Sequence, residues 1–343
     1  MSPSGERKLS VAVIQGGPSS EAEVSRASAK SVAAALAKGG HRVVRHELDA
    51  FLSDSLRTGG YEVMFPVSHG AVGEDGSLQG LLEVLDVPYV GSDVLASALA
   101  MNKRIAKLLF AAAGLPIAPA LHGVRANAAA PDGKGSPAAL AERALREVGE
   151  RLVVKPCSNG SAIGVARFDK GVSSADLAKA IAAAWEVDEV VLIERFAPGR
   201  EITCGVFGTG DDAIALPVTE IRSPADVFYT YQARYAPGRS EHLCPAPLAE
   251  ATTLRVQQVA VAAHRALGCR DLCRADFVVD EAAGEASVTL LEVNTMPGFT
   301  DTSLYPEAAG IAGIPMADLC NRFVQAAFRR GPPRRNAALA LPR

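Results

Sequence analysis

Hydrophobic residues in the first third of the chain form short runs that alternate with helical repeats. An apolar run over residues 9–14 ends in Gly16-Gly17-Pro18 and is followed by a helical pattern over residues 21–38. Strand, glycine turn and helix in this order are typical of the start of an α/β domain. The same periodicities predict further strands at 42–47 and 63–67 and helices at 77–86 and 93–113. Because Pro116 cannot continue a helix, we place the end of this N-terminal domain at residue 114.

The pattern changes after residue 114, where the elements become shorter. A stretch over residues 126–137 is rich in Ala, Gly and Pro and predicts a surface loop. The apolar runs that follow predict strands at 152–155, 165–168 and 190–195 and a helix at 174–185. We therefore expect a central α+β domain over residues 115–200.

The last part of the chain, residues 201–330, predicts a third α+β domain. Its apolar runs indicate strands at 202–207 and 214–221, a long helix at 251–267, a hairpin and two closing helices. A polar, aromatic stretch at 222–243 is too long for a simple connector and is interpreted as a lid loop. Residues 331–343 contain Arg, Pro and Gly and predict a flexible tail.

The predicted hairpin near the C-terminus carries the most informative polar residues. Arg274 and Asp276 stand two apart in one apolar run, and Glu292 and Asn294 stand two apart in the next. Residues two apart on a strand share a face, so pairing of the runs would bring three oxygen donors beside one arginine. Carboxylate and amide oxygens suit Mg²⁺, which completes its shell with phosphate oxygens and water. The hairpin therefore predicts a magnesium site close to a nucleotide.

Composition excludes several classes of protein. The 343 residues are 48% hydrophobic and 21% charged, with a formal net charge of -3, so a general nucleic-acid binder is not expected. The N-terminal residues do not resemble a signal peptide, and no apolar stretch has the ~20 residues of a membrane helix. The six cysteines include no Cys-x-x-Cys pair, only a Cys-x-x-x-Cys at 269 and 273. We expect free thiols, no zinc site and a cytoplasmic protein.

Two further segments indicate nucleotide binding, each with an ordinary alternative. Lys155 precedes a Gly- and Ser-rich stretch, 156–164, whose backbone N–H groups can approach an anion. It lacks the Gly-Lys-Ser/Thr of a Walker A loop and could equally be a hairpin turn. Residues 191–201 form a strand that becomes an extended connector, which could bind an adenine edge, with Glu201 near the ribose. Taken alone, this segment could also be an edge strand followed by a turn.

The order of these elements is similar to that of the ATP-grasp ligases. Lys103, the Lys155 loop, residues 194–201, Asp276 and the Glu292-x-Asn294 pair follow one another as in that superfamily. Three segments narrow the resemblance to the D-alanine:D-alanine ligase family over residues 11–328. These are His69-Gly-Ala-Val-Gly-Glu-Asp-Gly, Gly91-Ser-Asp-Val-Leu-Ala-Ser-Ala-Leu-Ala-Met-Asn-Lys and Tyr229-Thr-Tyr-Gln-Ala-Arg-Tyr.

The resemblance implies an α/β (α+β) ATP-grasp fold. A Rossmann-like N-terminal domain would precede two α+β subdomains that enclose the nucleotide. Asp276, Glu292 and Asn294 would bind two Mg²⁺ or Mn²⁺ ions. The implied ATP-binding residues are Lys103, Lys155, Glu194, Arg195, Phe196, Ala197, Glu201, Phe228, Arg234 and Leu291.

The same resemblance implies a carboxylate-activating ligase that joins two D-alanines for peptidoglycan, acts as a homodimer and has no nucleic-acid or membrane partner. Glu21 would take the ammonium of the first D-alanine, although an acid in a first helical turn also interacts favourably with the helix dipole. Arg274 and the Gly298 amide would hold the reacting carboxylate. Ser303, with Leu304, would hold the second carboxylate, and Ser161 and Tyr235 would form a hydrogen-bonded set with Glu21.

Two positions depart from the family pattern. Arg234 stands where lysine is usual, and Ala162 stands where a second serine is common. A planar guanidinium replaces a compact ammonium and one hydroxyl donor is lost, so we expect weaker nucleotide binding than in a typical member. His69 follows an apolar strand and could serve catalysis or only a local hydrogen bond.

Two other functions are weighed against this interpretation. The same chemistry could join a different pair, such as D-alanine with D-serine, or make a specialised-metabolite dipeptide. A nucleotide-binding sensor without turnover would be expected to lack metal ligands, yet all three are present. A Rossmann dehydrogenase needs Gly-x-Gly-x-x-Gly after the first strand, and Gly16-Gly17-Pro18 does not supply it.

Overall fold

Three β-sheets organise the part of the chain that the structure describes. The structure is a computed structural model, and it describes residues 7–127, 135–160, 162–222, 241–282 and 286–332. One sheet is parallel and two are antiparallel. No helix among these residues is long and apolar enough to cross a membrane. The domain boundaries at residues 114 and 200 stay predictions.

The N-terminal sheet is parallel, as the strand and helix alternation predicts. Its strands are β1 (Ser10–Gln15), β2 (Arg42–Glu47) and β3 (Val63–Pro66), in the order β2-β1-β3. Parallel neighbours need a crossover connection, and α1 (Ala22–Lys38) provides it between β1 and β2. Five of the six β1 residues are buried, as expected for a central strand covered on both faces.

The predicted helix over residues 93–113 is two helices, so that interpretation was wrong. After α2 (Leu52–Thr58) and α3 (Ser77–Val84), the chain forms α4 (Val94–Met101) and α5 (Lys103–Ala112). Asn102 separates them with an extended backbone, and its side chain accepts a hydrogen bond from Ile105 N at 3.1 Å. An asparagine that caps a new helix competes with continuation of the old one. Lys103 therefore begins a helix.

The central sheet is antiparallel, with the order β4-β7-β5-β6. The predicted strands and helix are present as β5 (Leu152–Pro156), β6 (Ala166–Phe168), α7 (Ser174–Trp185) and β7 (Val190–Arg195). Sequence analysis missed β4 (Ala120–Val124) and α6 (Pro137–Glu147). The signal for α6 was present, because Ser136 caps the helix and proline is favourable at its first position.

The C-terminal sheet has five antiparallel strands in the order β10-β9-β8-β11-β12. They are β8 (Arg200–Phe207), β9 (Ile214–Arg222), β10 (Glu241–Leu243), β11 (Leu272–Asp280) and β12 (Ser287–Asn294), with α8 (Glu250–Ala266) packed against them. The predicted lid over 222–243 was too long at both ends. Arg222 ends β9, and residues 241–243 pair with it as β10. Residues 223–240 lie outside the described residues.

Aromatic residues join the N-terminal sheet to the end of the chain. Phe65 of β3 lies 5.7 Å from Phe299 and 6.2 Å from Phe323, measured between ring centroids. Tyr305 of α9 (Leu304–Ile311) and Phe323 of α10 (Met316–Arg330) complete this buried cluster. Because α10 also packs against α1, the two distant parts of the chain share one core.

We predict that Phe323→Ala lowers the free energy of unfolding by about 3–5 kcal/mol, because it removes a buried ring and leaves a cavity among four aromatic neighbours. Urea denaturation of purified protein measures the change. Phe51→Ala is the matched control, because Phe51 is 74% exposed and its loss should change stability by about 0.5 kcal/mol or less. Equal effects of the two substitutions would contradict the assigned core.

Candidate functional site

The hairpin of β11 and β12 places four polar side chains on one face of the C-terminal sheet. Arg274 lies opposite Asn294, and Asp276 lies opposite Glu292. Since residues two apart on a strand face the same side, all four point in one direction. They are half-buried, whereas the intervening Val293 is buried in the core. The predicted hairpin, with three oxygen donors beside one arginine, is confirmed.

A β-bulge in this hairpin decides where Leu291 points. Asp276 pairs with Glu292, but the next residue, Phe277, pairs with Leu290, so Leu291 is the extra residue. A bulge redirects side chains, and Leu291 and Glu292 both line the cleft described below. Leu291 is therefore half-buried and faces the cleft, where the family resemblance implies an ATP-binding residue.

Two ion pairs hold the acidic residues of the hairpin. Arg274 binds Asp276 through two hydrogen bonds, from Nε to Oδ1 at 2.8 Å and from Nη2 to Oδ2 at 2.7 Å. Thr203 Oγ1 donates a further hydrogen bond of 2.7 Å to Asp276 Oδ1. Lys103 Nζ lies 3.0 Å from Glu292 Oε2. Each carboxylate therefore has a cationic partner, which compensates for its partial burial.

A second charged group lies deeper, on the inner strands β5 and β7 of the central sheet. The Glu194 carboxylate pairs with Lys155 and lies 3.0 Å from Lys107 Nζ. All three side chains are buried. Burial opposes ionisation of Glu194, but the charges of Lys155 and Lys107 outweigh it and lower the pKa of Glu194. The pKa of Lys155 is raised despite its burial, chiefly by Glu194 and Glu292, while burial lowers the pKa of Lys107.

Sequence analysis did not single out Lys107. It stands four residues after Lys103 on α5, so both lysines lie on one helix face. This spacing was a usable signal. The amphipathic pattern alone would place Lys107 in a helix without showing that its ammonium reaches a buried carboxylate on β7.

A cleft of about 190 Å³ lies between the central and C-terminal sheets. It brings together every predicted ATP-binding residue that the structure describes. These are Lys103, Lys155, Glu194, Arg195, Phe196, Ala197, Glu201 and Leu291. Phe196 is held by two guanidinium groups, those of Arg167 and Arg151, which lie 4.4 and 4.9 Å from its ring centroid. We call the part of the cleft lined by Lys103 and Lys155 its cationic end, and the part lined by Phe196 and Leu291 its aromatic end.

The glycine-rich stretch after Lys155 connects the cleft to the N-terminal domain. Lys103 Nζ donates a hydrogen bond of 2.8 Å to the Asn159 carbonyl. A Cβ atom on Gly160 would lie 3.5 Å from Glu21 Oε2, and one on Gly70 would lie 3.3 Å from the same oxygen. Glu21 thus reaches the glycine stretch from the start of α1.

A second cavity, of about 100 Å³, adjoins the cleft. Its lining includes the predicted residues Glu21, Arg274, Glu292, Asn294, Gly298 and Ser303. Gly160, Arg274, Glu292 and Leu304 line both spaces, so the two spaces meet at these residues. Together the cleft and the second cavity form a path from the aromatic end of the cleft to the start of α9.

The start of α9 shapes the far wall of the second cavity. Ser303 precedes the helix and its Oγ accepts a hydrogen bond of 2.9 Å from Thr300 N. A Cβ atom on Gly298 would lie only 2.8 Å from this Oγ, so glycine is needed for the close approach. First-turn N–H groups of a helix favour anions. A carboxylate fits this wall of the cavity.

Two histidines also line the second cavity. His69 Nδ1 lies 3.9 Å from Glu74 Oε2, and both side chains are buried. Burial opposes protonation of His69, but Glu74 and the charge of Glu21 outweigh it and raise the pKa of His69. His242 Nδ1 lies 3.0 Å from an oxygen of Glu307. Sequence analysis missed His242, because it had placed this residue in the lid.

Four predicted site residues lie outside the residues that the structure describes. They are Ser161, Phe228, Arg234 and Tyr235. Ala162, where the family commonly has serine, adopts a positive φ of 55°. Positive φ is unfavourable for residues with a Cβ atom, so a serine here would carry the same backbone strain.

Comparisons with known proteins agree with this geometry. The family model "D-ala D-ala ligase N-terminus" matches residues 45–92, and "D-ala D-ala ligase C-terminus" matches residues 109–325. The D-alanine–D-alanine ligase of Parvibaculum lavamentivorans is 42% identical over 318 residues, which cover 92% of this chain and 97% of that protein. The D-alanine–D-alanine ligase of Pelotomaculum thermopropionicum is 40% identical over 320 residues, covering 93% and 97%.

Solved structures show the same likeness. The D-alanine–D-alanine ligase of Coxiella burnetii superposes with a TM-score of 0.78 at 26% identity and covers 94% of each chain. The ligase of Bacillus anthracis, complexed with ATP, gives a TM-score of 0.75 at 29% identity, covering 94% of this chain and 98% of that one. With this fold and these motifs, the chain belongs to the D-alanine–D-alanine ligase family of ATP-grasp proteins.

Proposed function

We propose that this chain joins two D-alanines to D-alanyl-D-alanine with hydrolysis of ATP to ADP and phosphate, through a D-alanyl phosphate intermediate. One observation carries the proposal: the cleft and the second cavity meet at Arg274 and Glu292. A phosphate in the cleft and a carboxylate in the cavity would therefore be neighbours. The names of the relatives, all D-alanine–D-alanine ligases, support the same reaction.

The proposed ATP site follows from where charged and apolar side chains lie in the cleft. The adenine would lie at the aromatic end, beside Phe196 and Leu291, where backbone groups at the end of β7 can bind its edge. Glu201 would bind the ribose. The phosphates would lie at the cationic end, where Lys103 and Lys155 converge. Preorganised ammonium groups stabilise charge that develops on a phosphoryl group during its transfer.

The donor set of the hairpin fits magnesium. Asp276, Glu292 and Asn294 offer two carboxylates and one amide oxygen on one face, and such hard oxygen donors suit Mg²⁺. Asn294 Oδ1 accepts a hydrogen bond of 2.8 Å from Met296 N, which orients the amide oxygen and leaves it a second lone pair. These residues would hold two Mg²⁺ or Mn²⁺ ions. When bound, the ions would neutralise phosphate charge and align the γ-phosphate.

The first step follows from this arrangement. A carboxylate oxygen of the first D-alanine attacks the γ-phosphorus, its O–P bond forms, and the bond from phosphorus to the bridging oxygen of ADP breaks. Glu21 would hold the ammonium of this D-alanine, and Arg274 would orient its carboxylate. Arg274 is fixed by Asp276, so its guanidinium is already positioned at the junction of the two spaces.

The second step captures the acyl phosphate. The uncharged amine of the second D-alanine attacks the acyl carbon, and Arg274 and the Gly298 N–H would stabilise the oxyanion before phosphate leaves. The carboxylate of this second D-alanine would lie against Ser303 and the first turn of α9. Closure over the site would exclude water, which otherwise hydrolyses the intermediate. We assign that role to residues 223–240, and Ser161 and Tyr235 would hydrogen-bond with Glu21.

We further infer from the family resemblance that the chain forms a homodimer, acts in the cytoplasm and supplies a peptidoglycan precursor. The direct test of the activity is incubation with ATP, Mg²⁺ and D-alanine, followed by measurement of phosphate and dipeptide. Equal amounts of phosphate and D-alanyl-D-alanine are expected. Phosphate release that depends on D-alanine without dipeptide would overturn the ligase assignment. A mixed dipeptide formed faster when D-serine is added would overturn the assignment of D-alanine as acceptor.

We predict that Glu292→Gln lowers kcat/KM by roughly 100-fold or more, because it removes a charge that would bind the metal ions. Steady-state assays over a range of Mg²⁺ concentrations measure the effect, and high Mg²⁺ should restore part of the activity. Glu147→Gln is the control, because Glu147 forms only exposed ion pairs, with Arg143 and Arg146, among the described residues. Near-normal turnover of Glu292→Gln would place the metal ions elsewhere.

We predict that Glu194→Gln destabilises the protein by about 3–5 kcal/mol, because it leaves the buried Lys155 and Lys107 without their anionic partner. ATP affinity should fall as well, since Lys155 loses its orientation. Chemical denaturation and nucleotide titration measure the two effects. Glu186→Gln removes an ion pair in which the glutamate side chain is 73% exposed, and it should change neither quantity. If Glu194→Gln leaves the free energy of unfolding unchanged, the Glu194 carboxylate does not stabilise the buried Lys155 and Lys107.

A further inference from the structure

Three buried side chains that bind soft metals meet at the C-terminal end of α8. They are His264, Cys269 and Cys273, and their ligand atoms all lie within 4.8 Å of one another. His264 Nδ1 lies 3.1 Å from Cys273 Sγ. Cys273 precedes Arg274 on β11, so its side chain points to the opposite face, away from the cleft. The cluster is therefore separate from the ATP and D-alanine sites.

The local chain geometry builds this cluster from ten consecutive residues. Gly268 follows α8 with a positive φ of 71°, and Cys269 N donates a hydrogen bond of 2.9 Å to the His264 carbonyl. A glycine of positive φ with such a bond closes the helix and turns the chain back on it. Cys269 is thereby fixed beside His264, and β11 then begins and brings Cys273 to the same point. The ligand positions are set before any ion binds.

His264 is fully buried, and its Nδ1 lies beside Cys273 Sγ. Its Nε2 has no close hydrogen-bond partner among the residues that the structure describes, and the Gly208 backbone is the acceptor that acts on the ring. Nδ1 is therefore the nitrogen that an ion would bind, while Nε2 keeps its proton. A neutral imidazole with its proton on Nε2 is the form that binds a metal ion through Nδ1.

We propose that His264, Cys269 and Cys273 form a binding site for a soft divalent cation such as Zn²⁺. Imidazole and thiolate ligands select Zn²⁺ over Mg²⁺, which prefers oxygen. As each sulfur–metal bond forms, the thiol gives its proton to solvent. Two thiolates, one neutral imidazole and one divalent cation then have no net charge, so the filled site avoids the penalty for a buried charge.

The surroundings favour a cation in two further ways. His264 lies in the last turn of α8, where the carbonyl ends of the helix carry partial negative charge. The site also lies close to solvent, because a Cβ atom on Gly268 would have open space around it. Local opening of the turn at Gly268 gives an ion a short route to the cluster. The sequence pattern had argued against zinc because it offered only Cys269 and Cys273; the fold supplies His264.

The test uses the full chain, reduced, freed of metal and kept in excess Mg²⁺. Titration with Cd²⁺ is expected to produce a thiolate charge-transfer absorption that saturates at one ion per chain. Zn²⁺ affinity follows from competition with a chromophoric chelator. Cys269→Ser and Cys273→Ser should each weaken binding by roughly 100-fold. Cys320→Ser is the matched control, since Cys320 is also a buried free cysteine but lies in a different core.

Equal metal binding by wild type, Cys269→Ser and Cys273→Ser would overturn the proposal, as would the absence of the absorption in wild type. Near-ultraviolet circular dichroism shows whether the serine variants fold. If they do not fold, X-ray absorption of the wild-type zinc complex decides instead. Two sulfur ligands and one imidazole nitrogen are expected, with a water oxygen as the fourth ligand of Zn²⁺, and a spectrum without two sulfurs and one nitrogen contradicts the site.

Discussion

Two ion pairs at the junction of the cleft and the second cavity are the interaction on which the rest of this site depends. Arg274 with Asp276 and Lys103 with Glu292 place two acids and two bases within one small region. Unpaired, each half-buried charge would be unfavourable, and the hairpin could not present them together. Paired, they form a neutral group, and in the proposed function the nucleotide and its cations would replace these partners. Binding thus starts from groups already in position.

The positions of these charges come from three different parts of the chain. Lys103 stands at the start of α5, and the acids stand on the hairpin near the C-terminus. Glu21 reaches the same place from the start of α1, the helix that follows the first strand of the N-terminal sheet. The aromatic core around Phe65 and Phe323 holds that sheet against the C-terminal elements. Apolar packing at a distance from both spaces therefore sets the position of the second cavity relative to the cleft.

Buried charge is also used differently in the two halves of the site. Glu194 is enclosed between two lysines, which hold it ionised and fix the inner wall of the cleft. The acids of the hairpin are half-buried and keep part of their surface open, which the proposed metal site would require. At the opposite face of β11, Cys273 contacts His264 within the core. One strand thus carries hard oxygen donors on one face and a soft sulfur donor on the other.

Local sequence determined much of this protein. Period-two runs predicted β7, β11 and β12, helical periodicity predicted α7, and the Glu292-x-Asn294 spacing predicted a shared face, because side-chain direction on a strand follows from the backbone alone. Only the tertiary structure decided the rest. The break at Asn102 depends on a side-chain cap, the direction of Leu291 depends on a bulge, and the roles of Lys107 and His264 depend on partners across the fold. Contacts between residues far apart in the chain produce no periodic pattern in the sequence. Contacts that depend on one irregular backbone position produce none either.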